Sequence, residues 1–309
     1  MANDSTMLAR LRRARLLAGE DLHNPGQLDT HPLVRENFGE QLRSERTEAW
    51  RECNRRLYHY YRTLAPQLPD SFGEMEPLFL AVIFGCNAGL FHEALQEVYI
   101  PRIQRGNASF AAKVLGVRGA LLSVLAHFFE DGRWGSPVQG GVEGQSLTAE
   151  DQLFILIQAA LNLTAMREAA PEAKICYERA ESLCHSLNRP LLLYVALIGQ
   201  LRYSIVTDKA AAAIPLAKRL YALAQEQNDP TLMIGACTAA GGTHWHLGDF
   251  ETAQQYTTRA IQIWRSGGVG SPFQEVDAQP VACLSHEALL EWHFGESPPA
   301  TRPWPKRSH

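Results

Sequence analysis

Residues 178–196, ERAESLCHSLNRPLLLYVA, align without gaps on residues 218–236, KRLYALAQEQNDPTLMIGA, at an offset of 40. Arg179 falls on Arg219, Leu183 on Leu223, Asn188 on Asn228, Pro190 on Pro230, Leu192 on Leu232 and Ala196 on Ala236. One more step of 40 reaches Arg259, Ile263 and Gly268. In each copy a helix is expected to end at the Asn. The chain then turns, and Pro occupies the first turn of the next helix, where its missing N–H costs nothing. The unit is therefore an αα-hairpin. Two amphipathic helices cannot bury their apolar faces alone, so neighbouring hairpins must stack, and an all-α, right-handed superhelical solenoid is the expected fold.

The rest of the chain fits that period. Apolar residues recur at helical spacing from Glu40 to Leu64, ahead of Pro66 and Pro69. Helix-like stretches bounded by Gly, Pro, Asn or Asp follow at 77–89, 90–99, 108–129, 149–166, 171–187, 190–206, 210–227, 230–247, 250–264 and 279–294. No alternating strand pattern is evident. Two stretches dense in Gly and Pro, 131–146 and 265–280, read as long loops projecting from the helical body. The last segment, GESPPATRPWPKRSH, has four prolines in fifteen residues and is expected to be disordered. The organisation expected is an N-terminal helical segment over 1–65, a repeat array over 66–295 and a tail over 296–309.

Composition narrows the chemistry. With 46% hydrophobic and 20% charged residues, a sizeable core is available. A net charge of −4 provides no general drive toward nucleic acid or an anionic membrane. The Arg-rich start (Arg10, Arg12, Arg13, Arg15) is balanced locally, 11 Arg against 9 Asp and Glu over residues 1–65, and reads as a solvated helix face. The six cysteines form no CxxC pair and follow no secretory leader, so reduced thiols and a cytoplasmic location are expected. The apolar runs at 77–91 and 153–166 fall short of the roughly 20 residues that span a bilayer, so no membrane partner is expected.

The segment CTAAGGTHWHLGDFETAQQYTTRAI (237–261) resembles a tetratricopeptide repeat. Ala240-Gly241 matches the small pair of its first helix, Gly248-Asp249-Phe250 the turn, and Ala253 and Ala260 the small positions of its second helix. Cys237 stands where the family has a large residue, and the 40-residue spacing exceeds the family's usual length, which implies longer helices. More broadly, LDTHPLVRENFGEQLR (28–43) ahead of AWRECNRRLYHYYRTLAPQLPD (49–70) and the array resembles the part of STAND-class signal-transduction ATPases that follows the nucleotide-binding module. There a winged-helix-like piece, of which 1–65 would be a remnant, leads into tetratricopeptide-like repeats. A GxxxxGK[ST] phosphate loop is missing and the chain contains no Gly-Lys pair, so ATPase activity does not carry over. The array ends on a first helix without its partner, which reads as a piece of a longer architecture.

Catalytic readings fare poorly. His244 and His246 in THWHLGDF lie about 200° apart around a helix and cannot share a metal ion. Gly241-Gly242 sits inside a helical pattern, where close helix packing explains it better than a phosphate loop. The carboxylate pairs Glu74/Glu76 and Glu150/Asp151 sit at helix starts, where they favour the macrodipole. No nucleophile motif is evident. Neither an enzyme nor any metal or cofactor is expected.

The resemblance implies a non-catalytic protein-interaction scaffold, a regulatory or sensor part of a larger signalling ATPase system. Its partner would be a protein or peptide, including an ATPase or a transcriptional regulator. The alternative is an arm that senses a small molecule. In the resembled repeats the first helices line the concave face. That register nominates Gln158, Asn162, Arg202, Thr238, Trp245, His246, Ser285, Trp292 and His293 as partner-binding residues. WHLG at 245–248 recurs as WHFG at 292–295, so the same turn is expected twice, and the tryptophans have a plainer reading as packing between repeats.

Overall fold

A computed structural model of the chain describes residues 2–18, 30–167, 169–207, 209–267 and 279–295. The expected tail at 296–309, most of the expected loop at 265–280 and the start of the 28–43 segment lie outside these. The described residues form an all-α repeat solenoid. Its array comprises α8 (Ala149–Met166), α9 (Pro171–Leu187), α10 (Pro190–Val206), α11 (Ala210–Gln227), α12 (Pro230–His246), α13 (Phe250–Arg265) and α14 (Gln279–His293). Ahead of it lie α1 (Ala2–Arg13), α2 (Pro32–Glu45), α3 (Thr47–Leu64) and α4 (Phe72–Asn87). Two short helices, α6 (Phe110–Lys113) and α7 (Arg118–Leu125), complete the body.

The repeated Asn and Pro act as the sequence requires. Asn188 and Asn228 adopt left-handed backbone at φ 52° and 49°, ending α9 and α11, and Pro190 and Pro230 open α10 and α12. Asn tolerates this conformation better than most residues because its short polar side chain can bond locally. Gly248 at φ 77° makes the turn after α12, and the Asp249 side chain accepts from Thr252 N at the start of α13. Gly241 faces α13: a Cβ there would meet Thr257 Oγ1 at 2.9 Å and Ala253 O at 3.4 Å. Close packing, not phosphate, is its use.

Each helix of the array packs on its sequence neighbours. In addition α8 touches α10, α10 touches α12 and α12 touches α14, so the first helices form an inner layer. Three apolar clusters follow one another along the described chain. Val195 and Ala196 of α10 belong to the first, and Tyr194, Leu197 and Ile198 of the same helix to the second. In the same way α12 gives Leu232 and Ala236 to the second cluster and Ile234 and Cys237 to the third. A hairpin thus completes its core only through its neighbours. Glu181 of α9 adds a polar tie, accepting from Gln200 of α10 at 2.6 Å and from Arg219 of α11.

Before the array the structure departs from the expected elements. The expected helix at 40–64 is two helices: Arg46 leaves helical geometry, and α2 folds back so that Gly39 lies against the Trp50 ring. The helix expected at 77–89 begins earlier, at Phe72, where the Ser71 side chain accepts from Glu74 N. The expected helix at 90–99 is one turn, α5 (Phe91–Glu93), running into a π-helix over Ala94–Gln104. Pro101 lies inside this π-helix, where its missing N–H leaves one rung of the ladder empty. Over the expected helix at 108–129, Gly116 at φ 69° separates α6 from α7.

The π-helix places Arg102, 5% exposed, beneath the end of α3. Its guanidinium donates to Arg62 O (2.8 Å), Pro66 O (2.9 Å), Ala65 O (3.1 Å) and Gln67 O (3.2 Å). Arg62 O belongs to the last turn of α3, whose carbonyls a helix end leaves without partners, and the other three follow that end in the chain. The first core also includes Tyr58 and Ala65, so it runs across position 65 unbroken. The stretch at 131–146 does not project. Val142 N donates to Gly89 O, His92 N to Gln145 O, and Trp134 packs on Phe129 at 5.0 Å. Phe129 and Pro137 form the only β-bridge among the described residues.

Candidate binding groove

The inner layer of first helices carries two adjoining cavities. One, of about 460 Å³, is lined from α6 (Ala112, Lys113), α7 (Arg118), α8 (Gln158, Leu161, Asn162, Thr164, Ala165), α9 (Tyr177) and α10 (Arg202, Ile205, Val206). The second, of about 720 Å³, lies toward the start of α8, between Glu150, Phe154 and Ile157 on one side and Arg189, Leu191, Leu192 and Val195 on the other. Ser109, Lys113, Gln158 and Leu161 line both, so the two make one groove along α8.

The walls are fixed by polar contacts. Asn162, 1% exposed, donates from Nδ2 to Gln158 O at 2.8 Å, and its Oδ1 accepts from Arg118 Nη1 at 3.4 Å. Tyr177 reaches the wall because Gly199 has no side chain: a Cβ there would stand 2.3 Å from the Tyr177 ring. The phenol lies 3.4 Å from Thr164 Oγ1. Arg189 closes the far rim through Glu150, Nε to Oε1 at 2.9 Å.

The position of α8 is set by its first turn. Thr148 and Asp151 form a reciprocal capping box, with Thr148 N donating to Asp151 Oδ2 at 2.9 Å and Asp151 N to Thr148 Oγ1 at 3.1 Å. Asp151, 1% exposed, also accepts from His92 Nδ1 and from Gln96 Nε2, each at 2.7 Å. Burial by itself would raise the carboxyl pKa. The hydrogen bonds from His92, Thr148 and Gln96 outweigh it and hold the group below its ordinary value. The residue expected to favour the macrodipole thus also clasps the groove helix to the elements before it.

Three of the nine nominated residues meet in the groove: Gln158 and Asn162 on α8 and Arg202 on α10. The other six do not. Thr238 is buried (7% exposed) between α12 and α14, donating to Ile234 O and touching Cys283 Sγ, both at 2.8 Å, so it is corrected from a contact residue to a core residue. Trp245 packs edge-on against Phe250 at 4.9 Å, and His293 lies over the same Phe250 ring at 3.8 Å. Trp292 is 77% exposed, and His246 and Ser285 are exposed. The paired WH motifs therefore share a turn but not an environment. His244 stacks on Tyr256 at 5.9 Å, with its Nδ1 3.0 Å from Asp249. The register did not find Lys113 and Arg118, which come from short helices outside the 40-residue period.

No protein-family model matches the chain, and no curated protein matches its sequence. No described helix is long and apolar enough to cross a membrane.

Proposed function

We propose that the chain is a non-catalytic binding arm, a protein-interaction scaffold that takes a protein or peptide segment in the groove along α8 and α10. It would serve a larger signalling ATPase system of the STAND type that the sequence resembles. The observation that carries this reading is the convergence of Gln158, Asn162 and Arg202, nominated by repeat register, on one open groove of the inner layer. Solenoids use such extended inner surfaces for partners. The second reading, a small-molecule-sensing arm, is favoured by the size of the cationic cavity, about 460 Å³, which lies within the usual range for small ligands.

A photo-crosslinking amino acid placed at Gln158 in the full-length chain tests this in cells. The first reading expects a crosslinked polypeptide from position 158 and none from Arg179, which is exposed on α9 outside the groove. A thermal shift with a small-molecule fraction and no polypeptide crosslink would select the second reading. Crosslinking that is equal at both positions would remove the groove from the account.

A further inference from the structure

The cavity at the α7 end of the groove gathers positive charge without a counter-charge. Its described lining brings Lys113, Arg118 and Arg202 together from α6, α7 and α10, and includes no carboxylate and no histidine. Neither Arg118 nor Arg202 pairs with an acidic side chain among the described residues, whereas Arg189, at the other end, is neutralised by Glu150. Like charges in a partly enclosed space raise the local potential, so an entering anion is held more strongly than at an open surface. The site is also built. Asn162 Oδ1 accepts from Arg118 at 3.4 Å, and Asn162, 1% exposed, is itself anchored on Gln158 O.

Charge and shape together choose the ligand. A carboxylate carries a single charge on two oxygens, whereas a phosphomonoester carries about −1.5 to −2 near neutral pH on three terminal oxygens. Two guanidinium groups and an ammonium converging from three helices match the second. Ser109, Thr164 and Tyr177 add hydroxyls that can donate or accept, and Leu161, Ile205 and Val206 add an apolar wall. At about 460 Å³ the cavity has the size of a whole small-ligand site, so a phosphoryl group leaves room for an organic body. Both α7, ahead of the array, and α10, within it, pack on α8. A ligand held by Arg118 and Arg202 would therefore tie the two parts of the chain together.

We propose that the cavity between α7, α8 and α10 is a binding site for a small phosphomonoester. Arg118, Arg202 and Lys113 hold the dianionic phosphoryl group, and the organic body lies on Leu161, Ile205 and Val206. This rests on the reading of the chain as a small-molecule-sensing arm and names the chemical class that it senses.

The test follows Tm and binding isotherms of the full-length chain with phenyl phosphate, glycerol phosphate, a hexose phosphate and a nucleoside monophosphate. Each is compared with its phosphate-free alcohol, with benzoate and with inorganic phosphate. The proposal expects saturable stabilisation by at least one ester and none by its alcohol. Arg118→Gln and Arg202→Gln should each weaken that ester about tenfold or more, with helicity unchanged, whereas Arg179→Gln, exposed on α9, should not. Arg202 is exposed, so Arg202→Gln keeps the test valid if Arg118→Gln fails to fold. With no carboxylate or histidine in the described lining, going from about pH 7.5 to about pH 5 should weaken binding about tenfold, as the ester takes up its second proton. No saturable ester, binding that survives both substitutions, or inorganic phosphate as tight as the best ester overturns the proposal. An alcohol or benzoate that stabilises the protein where no ester does also overturns it, while leaving the small-molecule reading intact. A polypeptide crosslink at Gln158 with no stabilisation by any of these compounds removes both.

Discussion

Replacing Asp151 with Ala tests whether the first turn of α8 is held by charge. The carboxylate accepts from His92 Nδ1, Gln96 Nε2 and Thr148 N. Hydrogen bonds to a charged group contribute ~1.5–3 kcal/mol each, and the cap itself about 1 kcal/mol. Against this, deleting the side chain returns the several kcal/mol spent desolvating a buried carboxylate. The expected net loss is about 3 kcal/mol at neutral pH, read from urea denaturation followed by circular dichroism. The sign of the pH dependence is also set. A folded-state pKa held below the ordinary 3.8 means that the stabilisation is complete above that value and is lost as pH falls through it and below. The gap between wild type and Asp151→Ala should therefore close in acid. A gap under about 1 kcal/mol at neutral pH, or one that stays constant down to about pH 2, would refute the argument.

Arg102→Met should cost about 3–5 kcal/mol, because four carbonyls at the end of α3 lose a buried cationic donor. Arg102→Lys should fall between, since an ammonium lacks the fork that reaches all four, and equal stability of all three proteins in urea would count against the cap. Gly199→Ala should destabilise by about 1–3 kcal/mol as the new methyl meets the Tyr177 ring, and a Tm at or above wild type would show the contact to be soft. In native protein only Cys53 should react quickly with a thiol reagent: it is exposed and the other five are buried. Burial pushes Cys176 up to about 12 and Cys184 and Cys237 to about 11. A second fast-reacting thiol would contradict this packing.

What the sequence made legible was local and periodic. Asn188 before Pro190 and Asn228 before Pro230 announce a helix end, a left-handed residue and a helix start, all within a few positions. The same register led to Gln158, Asn162 and Arg202. The contacts that shape the groove's edges are of another kind. His92 and Asp151 are 59 residues apart, and Arg118 and Asn162 are 44 apart. No spacing rule links such positions. Thr238 was misplaced because a first helix has both an inner surface and a core surface, and register alone does not separate them. The stretch at 131–146 misled through its Gly and Pro, which mark a turning chain but not which surface it turns against.

The left-handed Asn residues have a consequence for how this chain can change over evolutionary time. A side chain branched at Cβ is strained at φ near 50°, whatever lies around it. Positions 188 and 228 should therefore exclude Val, Ile and Thr and favour Asn, Gly and Asp, while the exposed helix faces on either side drift freely. In diverged copies of this solenoid those two sites would persist as fixed marks of repeat phase, even where a groove has been rebuilt for a different occupant.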